Sequence, residues 1–138
     1  MIDHVYISVS DVEKSRKLYG AVLKLLGWRE FGEYTAPQGI GVPDLYGFSD
    51  KHHMRGEKIG TSVWLRQSSV GASIYLGLVA GIPRDVDTAY AAAIKAGARD
   101  AGGPALRDYF GPGYYAANII DFDGNEIEIV NKSGNPSP

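Results

Sequence analysis

Few side chains in this sequence can do chemistry, and most of them sit in or beside short apolar segments. His4 lies in IDHVYIS (residues 2–8), where an imidazole can be a metal ligand, a catalytic base or an ordinary half-buried side chain. Glu126 and Glu128 alternate with Ile127 and Ile129 in NEIEIV. Two carboxylates on so apolar a segment need water, a partner or a ligand. If they shared a site, His4 and Glu128 would suit proton transfer, the carboxylate fixing the imidazole tautomer or acting as base. In LRDYFGPGYY, Arg107 is grouped with Tyr109, Tyr114 and Tyr115. Such a loop can grip an aromatic or acidic small molecule. Of the adjacent pair, one tyrosine is expected to pack and the other, taken as Tyr115, to face the ligand. His52 and His53 in DKHHMRGEK also invite a metal reading, but neighbours in a strand point opposite ways and a loop this charged is usually solvated.

The elements that must position these groups are short and punctuated by turns, as 18 glycines spread along the chain imply. Alternation in the first segment places His4, Tyr6 and Ser8 on one face and Val5, Ile7 and Val9 on the other. A helix is expected to follow, opened by a capping box from Ser10 to Glu13 and carried by Leu18, Tyr19, Val22, Leu23 and Leu26, with Gly27 as its stop. WREFGEY and TSVWLRQ read as strands, with mostly loop and one strand near DLYGFS between them. ASIYLGLV is another strand, and DVDTAYAAAIKAG is a helix with acids in its first turn and Gly97 as its stop. YYAANIIDF and NEIEIV form a hairpin through DFDGN, whose Asp-Gly is a strong turn signal. The same order thus occurs twice, and Tyr19 with Tyr90 and Gly27 with Gly97 lie about half a chain apart. The expected fold is α+β: two βαβββ modules in one domain (1–132), at about 1–68 and 72–132, with a flexible tail at 133–138. Ser62, Trp64 and Arg66, and in the second module Ser73, Tyr75 and Gly77, would share the face opposite the apolar one. If the sheets curve toward each other, those faces line a cleft.

Composition narrows the partners. With 138 residues, 44% of them hydrophobic, the chain can bury a core of its own. A net charge of −2 lacks the positive field that nucleic acid or an anionic membrane selects. The absence of cysteine excludes disulfides and thiolate chemistry, which suits a cytoplasmic protein. No signal-like or membrane-spanning run is seen, so a soluble, unexported protein is expected.

The duplication, together with DHVYISVSDVEKSRKLYGAVLKLLGW and YYAANIIDFDGNEIEIV, resembles the vicinal oxygen chelate superfamily, which includes glyoxalases, bleomycin resistance proteins and extradiol dioxygenases. The most specific part is Asp121 to Glu128, similar to the family's DPDGNxIE with Phe122 in place of proline. The resemblance implies a sheet curved around a cleft, a homodimer, and a divalent metal held by matching strands. His4 matches its first ligand and Glu128 its last. Trp64 and Ser73 stand where the other two are expected, and a serine hydroxyl is a weak donor to a transition metal. Two functions follow from the resemblance. One is a lyase, isomerase or dioxygenase acting on a small oxygenated or aromatic metabolite, with His4 and Glu128 as metal ligands or as acid and base. The other is a non-catalytic protein that binds or sequesters a small molecule. In either, Trp64, Arg66, Ser73, Tyr75, Arg107, Tyr109 and Tyr115 are the expected ligand contacts.

Overall fold

The alternation at the start of the chain produces strand β1 (His4–Val9), in which Ile7 and Val9 are buried while His4 and Tyr6 are exposed. The computed structural model describes residues 2–35, 38, 44–54, 60–68 and 73–133, except for the side chains of residues 53 and 54. The chain forms two units, Met1–Ala72 and Ser73–Pro138.

In the first unit, helix α1 (Val12–Leu25) buries Leu18, Tyr19, Val22 and Leu23. Strands β2 (Arg29–Tyr34), β3 (Leu45–Ser49) and β4 (Ser62–Gln67) follow, with a short helix α2 (Lys51–Met54) between the last two. The sheet runs β1-β4-β3-β2, with β1 parallel to β4 and the remaining pairs antiparallel. Phe48 packs beside Gly20 of α1, so Phe48 and Tyr46 face the helix while Leu45, Gly47 and Ser49 face away.

The second unit repeats this plan. Strand β5 (Tyr75–Val79) leads to helix α3 (Pro83–Lys95), then β6 (Arg99–Leu106), one 3-10 turn (Asp108–Phe110), β7 (Tyr115–Ile120) and β8 (Glu126–Asn131). The sheet order is β5-β8-β7-β6, with β5 parallel to β8. Val86, Ala89 and Ala93 of α3 are buried, as are Ile119, Ile127 and Ile129 of the sheet. The expected α+β fold of two βαβββ modules is therefore what the chain forms. Gly27 and Gly97 end their helices with φ of +86° and +103°, and in each case the next residue's amide bonds back into the last turn: Trp28 to Leu23, and Ala98 to Ala93.

Three local expectations need correction. Asp11, not Ser10, caps α1, accepting from the Lys14 amide at 3.0 Å. The Ser10 carbonyl is instead held by the Gln67 side chain of β4. The stretch between β2 and β4 holds a helical turn, α2, as well as a strand. Strand β6, in RDAGGPAL, carried no strand signal because Gly102, Gly103 and Pro104 interrupt it. It forms at the sheet edge, where a missing amide donor is tolerated and the register shifts around Gly102. The expected tail beyond residue 133 and the side chain of His53 lie outside the described residues. Among the described residues, no helix is long and apolar enough to cross a membrane.

The DFDGN turn is a structural lock. Asp121 Oδ1 accepts from the amides of Asp123 and Asn125, and Asn125 Nδ2 donates to Asp121 Oδ2 at 2.9 Å. Asn125 Oδ1 also accepts from the Ile74 amide at 2.8 Å, tying the hairpin to the entry of β5. Phe122 lies over Gly97, where an added Cβ would come within 3.1 Å of the ring.

Candidate functional site

The register of the second sheet assembles the site. Tyr75 pairs with Glu126, Gly77 with Glu128, and Asn118 of β7 with Glu128. Directly paired residues share a face, so Tyr75, Asn118, Glu126 and Glu128 stand together while Ile119, Ile127 and Ile129 turn the other way. Gly77 leaves open the space above its strand, since nothing lies within 4 Å of where its Cβ would be.

Glu128 is the hub. Only 6% exposed, it accepts from the Tyr75 hydroxyl at 2.6 Å on Oε2 and from the Tyr114 hydroxyl on Oε1. Arg107 Nη1 is 3.9 Å from Oε2 and also donates to Asn118 Oδ1. Asn118 Nδ2 in turn donates to Tyr75 Oη at 2.9 Å and to Glu126 Oε2 at 2.8 Å. A buried carboxylate is tolerable only with such compensation. Burial, followed by the bond to Glu128, raises the Tyr75 pKa. For Tyr114 the Glu128 bond is the first cause, ahead of burial and the Glu128 charge, and the pKa is pushed up to about 12. Both tyrosines are therefore neutral donors at physiological pH. A depression of about 440 Å³ opens on this face, with Tyr109 and Phe110 at its lip, their rings 4.7 Å apart.

Of the expected ligand contacts, Tyr75, Arg107 and Tyr109 line this depression, together with Glu128, expected as a catalytic residue or metal ligand. Tyr115 does not join them. Its hydroxyl donates to Asp87 of α3, on the helix side of the sheet, and burial with that bond raises its pKa to about 12. Tyr114, the other member of the pair, makes the Glu128 contact. Ser73 lies exposed ahead of β5 and outside the ladder. The register corrects its assignment as the second module's ligand position. His4 opens β1 and pairs two residues before Trp64, and Tyr75 opens β5 and pairs two residues before Glu128. Tyr75, not Ser73, is thus the counterpart of His4. Asn118 and Glu126 were not among the expected contacts, although an asparagine inside the apolar run AANII was a visible signal.

The first unit presents a different face. His4 Nδ1 lies 2.7 Å from Asp3 Oδ2, and its ring meets Tyr6 edge-on at 5.2 Å. Trp64 covers Gly47, where an added Cβ would approach the indole to 2.5 Å. Its Nε1 donates to Ser62 Oγ at 3.0 Å, and Phe31 packs edge-on against it. Trp64 is thus packed within its own sheet, while Arg66 stands exposed at the end of the row that pairs with Ser8.

The residues of the second unit do not fit a divalent metal. Both Glu128 oxygens already accept hydrogen bonds, and Tyr75 holds the position where the family resemblance expects a second histidine. A tyrosine ligates a metal well only as phenolate, and both hydroxyls here are protonated donors to Glu128. Among the described residues no three His, Cys, Asp or Glu side chains form a group that could hold a metal.

A duplicated βαβββ chain whose two sheets each keep an apolar helix side and a variable opposite side defines the glyoxalase-like class of α+β proteins. The chain belongs to the Glyoxalase/Bleomycin resistance protein/Dioxygenase superfamily, whose family model matches residues 1–129. It is similar to a solved glyoxalase/bleomycin resistance protein from Albidiferax ferrireducens (TM-score 0.70, 26% identity, 96% of this chain and 98% of that one). A superfamily member from Sphaerobacter thermophilus (TM-score 0.62, 21% identity, 96% and 97%) shares the fold. So does a family enzyme from Burkholderia phytofirmans (TM-score 0.64, 20% identity, 94% and 96%). No curated protein matches the chain.

Proposed function

We propose that this chain is a small-molecule-binding member of its superfamily, working without a resident metal, with its ligand seated on the β5-β8-β7-β6 face. The observation that carries this reading is the closed network around Glu128, in which two tyrosine hydroxyls and Arg107 occupy the carboxylate. Two hydroxyl donors and a nearby guanidinium favour the charged carboxylate and fix its orientation, so Glu128 organises the site. A small oxygenated or aromatic molecule suits the depression, with its ring against Tyr109 and Phe110 and its polar groups toward Arg107, Asn118 and Glu126. The family's usual homodimer belongs to the same proposal and is read by sedimentation equilibrium.

The test has two arms. Elemental analysis of protein purified without chelator should find far less than one metal per chain, and stoichiometric metal would overturn the metal-free reading. A nuclear magnetic resonance screen of small oxygenated aromatics should give hits that shift amides of residues 101–110. Asn118→Ala should weaken such hits by about tenfold, the equivalent of one well-made buried hydrogen bond. Hits that map elsewhere would sink the site assignment. A second reading, catalysis by His4, is favoured by the Asp3 carboxylate that fixes its ring. It requires that a bound molecule be turned over, and that His4→Gln abolish turnover while leaving binding intact.

A further inference from the structure

The first unit carries a depression of about 920 Å³ on the opposite side of its sheet from Trp64, between α1 and the start of β2. Its lining is unusual for a chain of net charge −2. Four of the fourteen basic residues, Arg16, Lys17, Lys24 and Arg29, converge there against a single carboxylate, Glu30. That carboxylate is engaged, because it accepts from the Tyr46 hydroxyl. Arg16 is held in place by Glu13 at 3.3 Å and by the Tyr46 ring, 5.2 Å from its guanidinium carbon. The floor between the cations is formed by Gly20 and Ala21, with the engaged Glu30 carboxylate beside Gly20. Gly20 has its own structural reason, since an added Cβ would come within 3.3 Å of Glu30 Oε1.

A solvated helix face would explain some of these charges but not their arrangement. Lys24 sits in the last turn of α1, where a cation favours the helix dipole. Lys17 is mid-helix and Arg29 is on a strand, so neither has that reason. Lys17 and Lys24 are seven residues apart on one face, which places them about 10 Å apart along the axis. Three or four cations match the charge of two or three linked phosphates better than that of one. Half-buried Trp28 also lines the depression.

The geometry points to a second ligand site in this trough, one that takes a small polyanion bearing two or three linked phosphates. Recognition is by Lys17, Lys24 and Arg29, with Arg16 as a pre-positioned fourth cation. It is independent of the site on the second unit.

The test is calorimetric titration of the full chain with inorganic tripolyphosphate, and separately with orthophosphate, at one fixed ionic strength. Saturable one-to-one binding of tripolyphosphate, at least about tenfold tighter than orthophosphate, is expected. The double variant Lys17→Gln with Lys24→Gln should lose about tenfold or more, and Arg29→Gln several-fold. Lys95→Gln, at the matching end of α3, should change nothing. All these side chains are exposed, and an unchanged circular dichroism spectrum confirms that each variant is folded. Binding no tighter than orthophosphate, or an equal loss in Lys95→Gln, would overturn the proposal.

Discussion

The two sheets share strand order, parallel pairing and helix placement, yet the faces they turn away from their helices are built from opposite materials. In the first, an indole lies over a glycine and is wedged by Phe31. In the second, the corresponding row holds Glu128 beside an open glycine, satisfied by two tyrosine hydroxyls and a guanidinium. The helix sides remain apolar in both, with Ile7, Val9 and Leu65 in one and Leu78, Ile127 and Ile129 in the other. Duplication thus separates two demands on the sequence: one side of each sheet must fold the module, and the other is free to differ.

The sharpest way to break the comparison is to remove charge from the second face. Glu128→Gln leaves the largely buried Arg107 beside a neutral amide and removes one of the two oxygens that the tyrosines donate to. Losing one partner of a buried pair should cost about 3 kcal/mol in urea unfolding. Trp64→Phe, at the corresponding place in the first sheet, keeps most of the packing and should cost less. Equal losses would mean that Glu128 is not the hub.

The first face should instead fail by crowding. Gly47→Ala places a methyl where the Trp64 ring lies 2.5 Å away, and overpacking of this kind costs about 1–3 kcal/mol. Adding Trp64→Leu should recover most of that loss, a coupling that a double-mutant cycle reads directly. Gly77→Ala, the same change on the second face, meets nothing within 4 Å and should be close to neutral.

Alkali distinguishes the faces next. Tyr114 has its pKa raised from 10.0 to about 12, so its proton is held more tightly in the folded chain than in the unfolded one. Its contribution is therefore complete below pH 10 and is lost as pH rises from 10 toward 12. Tyr114→Phe should cost about 1 kcal/mol at pH 8, and the gap to the unmodified protein should narrow over that range. A gap independent of pH would argue against the Glu128 bond. Tyr6→Phe, on the half-exposed first face, should change little at either pH.

What the sequence revealed follows from where the signals are local. Alternation in HVYISV and NEIEIV assigned the faces of His4 and Glu128, because one buried face enforces a period of two. Gly27 and Gly97 marked both helix ends because the stop needs a positive φ. What stayed hidden depended on partners distant in sequence. Tyr114 and Tyr115 were indistinguishable until β7 was seen to begin at Tyr115, which sends that side chain to α3. Tyr75 was overlooked as the counterpart of His4 because position is set by register with β8, not by the nearest hydroxyl in ASIYL. Strand β6 was invisible because an edge strand needs only one neighbour and tolerates Gly and Pro.

The smallest difference between the modules lies at their helix starts. Helix α1 has a side-chain cap from Asp11, whereas α3 begins at Ile82 with no side-chain cap and relies on Pro83 to preset its first turn. Ile82 is 51% exposed, with φ of −140° and ψ of 159°, an extended geometry that any capping residue can adopt. A serine there can accept from a first-turn amide, and the change removes an apolar side chain from water at little packing cost. Ile82→Ser should therefore stabilise the chain by about 0.5 kcal/mol, while Asp11→Ala should destabilise it by about 1 kcal/mol. Ser10→Ala should cost less than Asp11→Ala, since Asp11 makes the cap bond to Lys14. Thermal unfolding of the three variants in one buffer puts these in order, and a loss in Ser10→Ala matching that of Asp11→Ala would move the cap back to the residue the sequence first suggested.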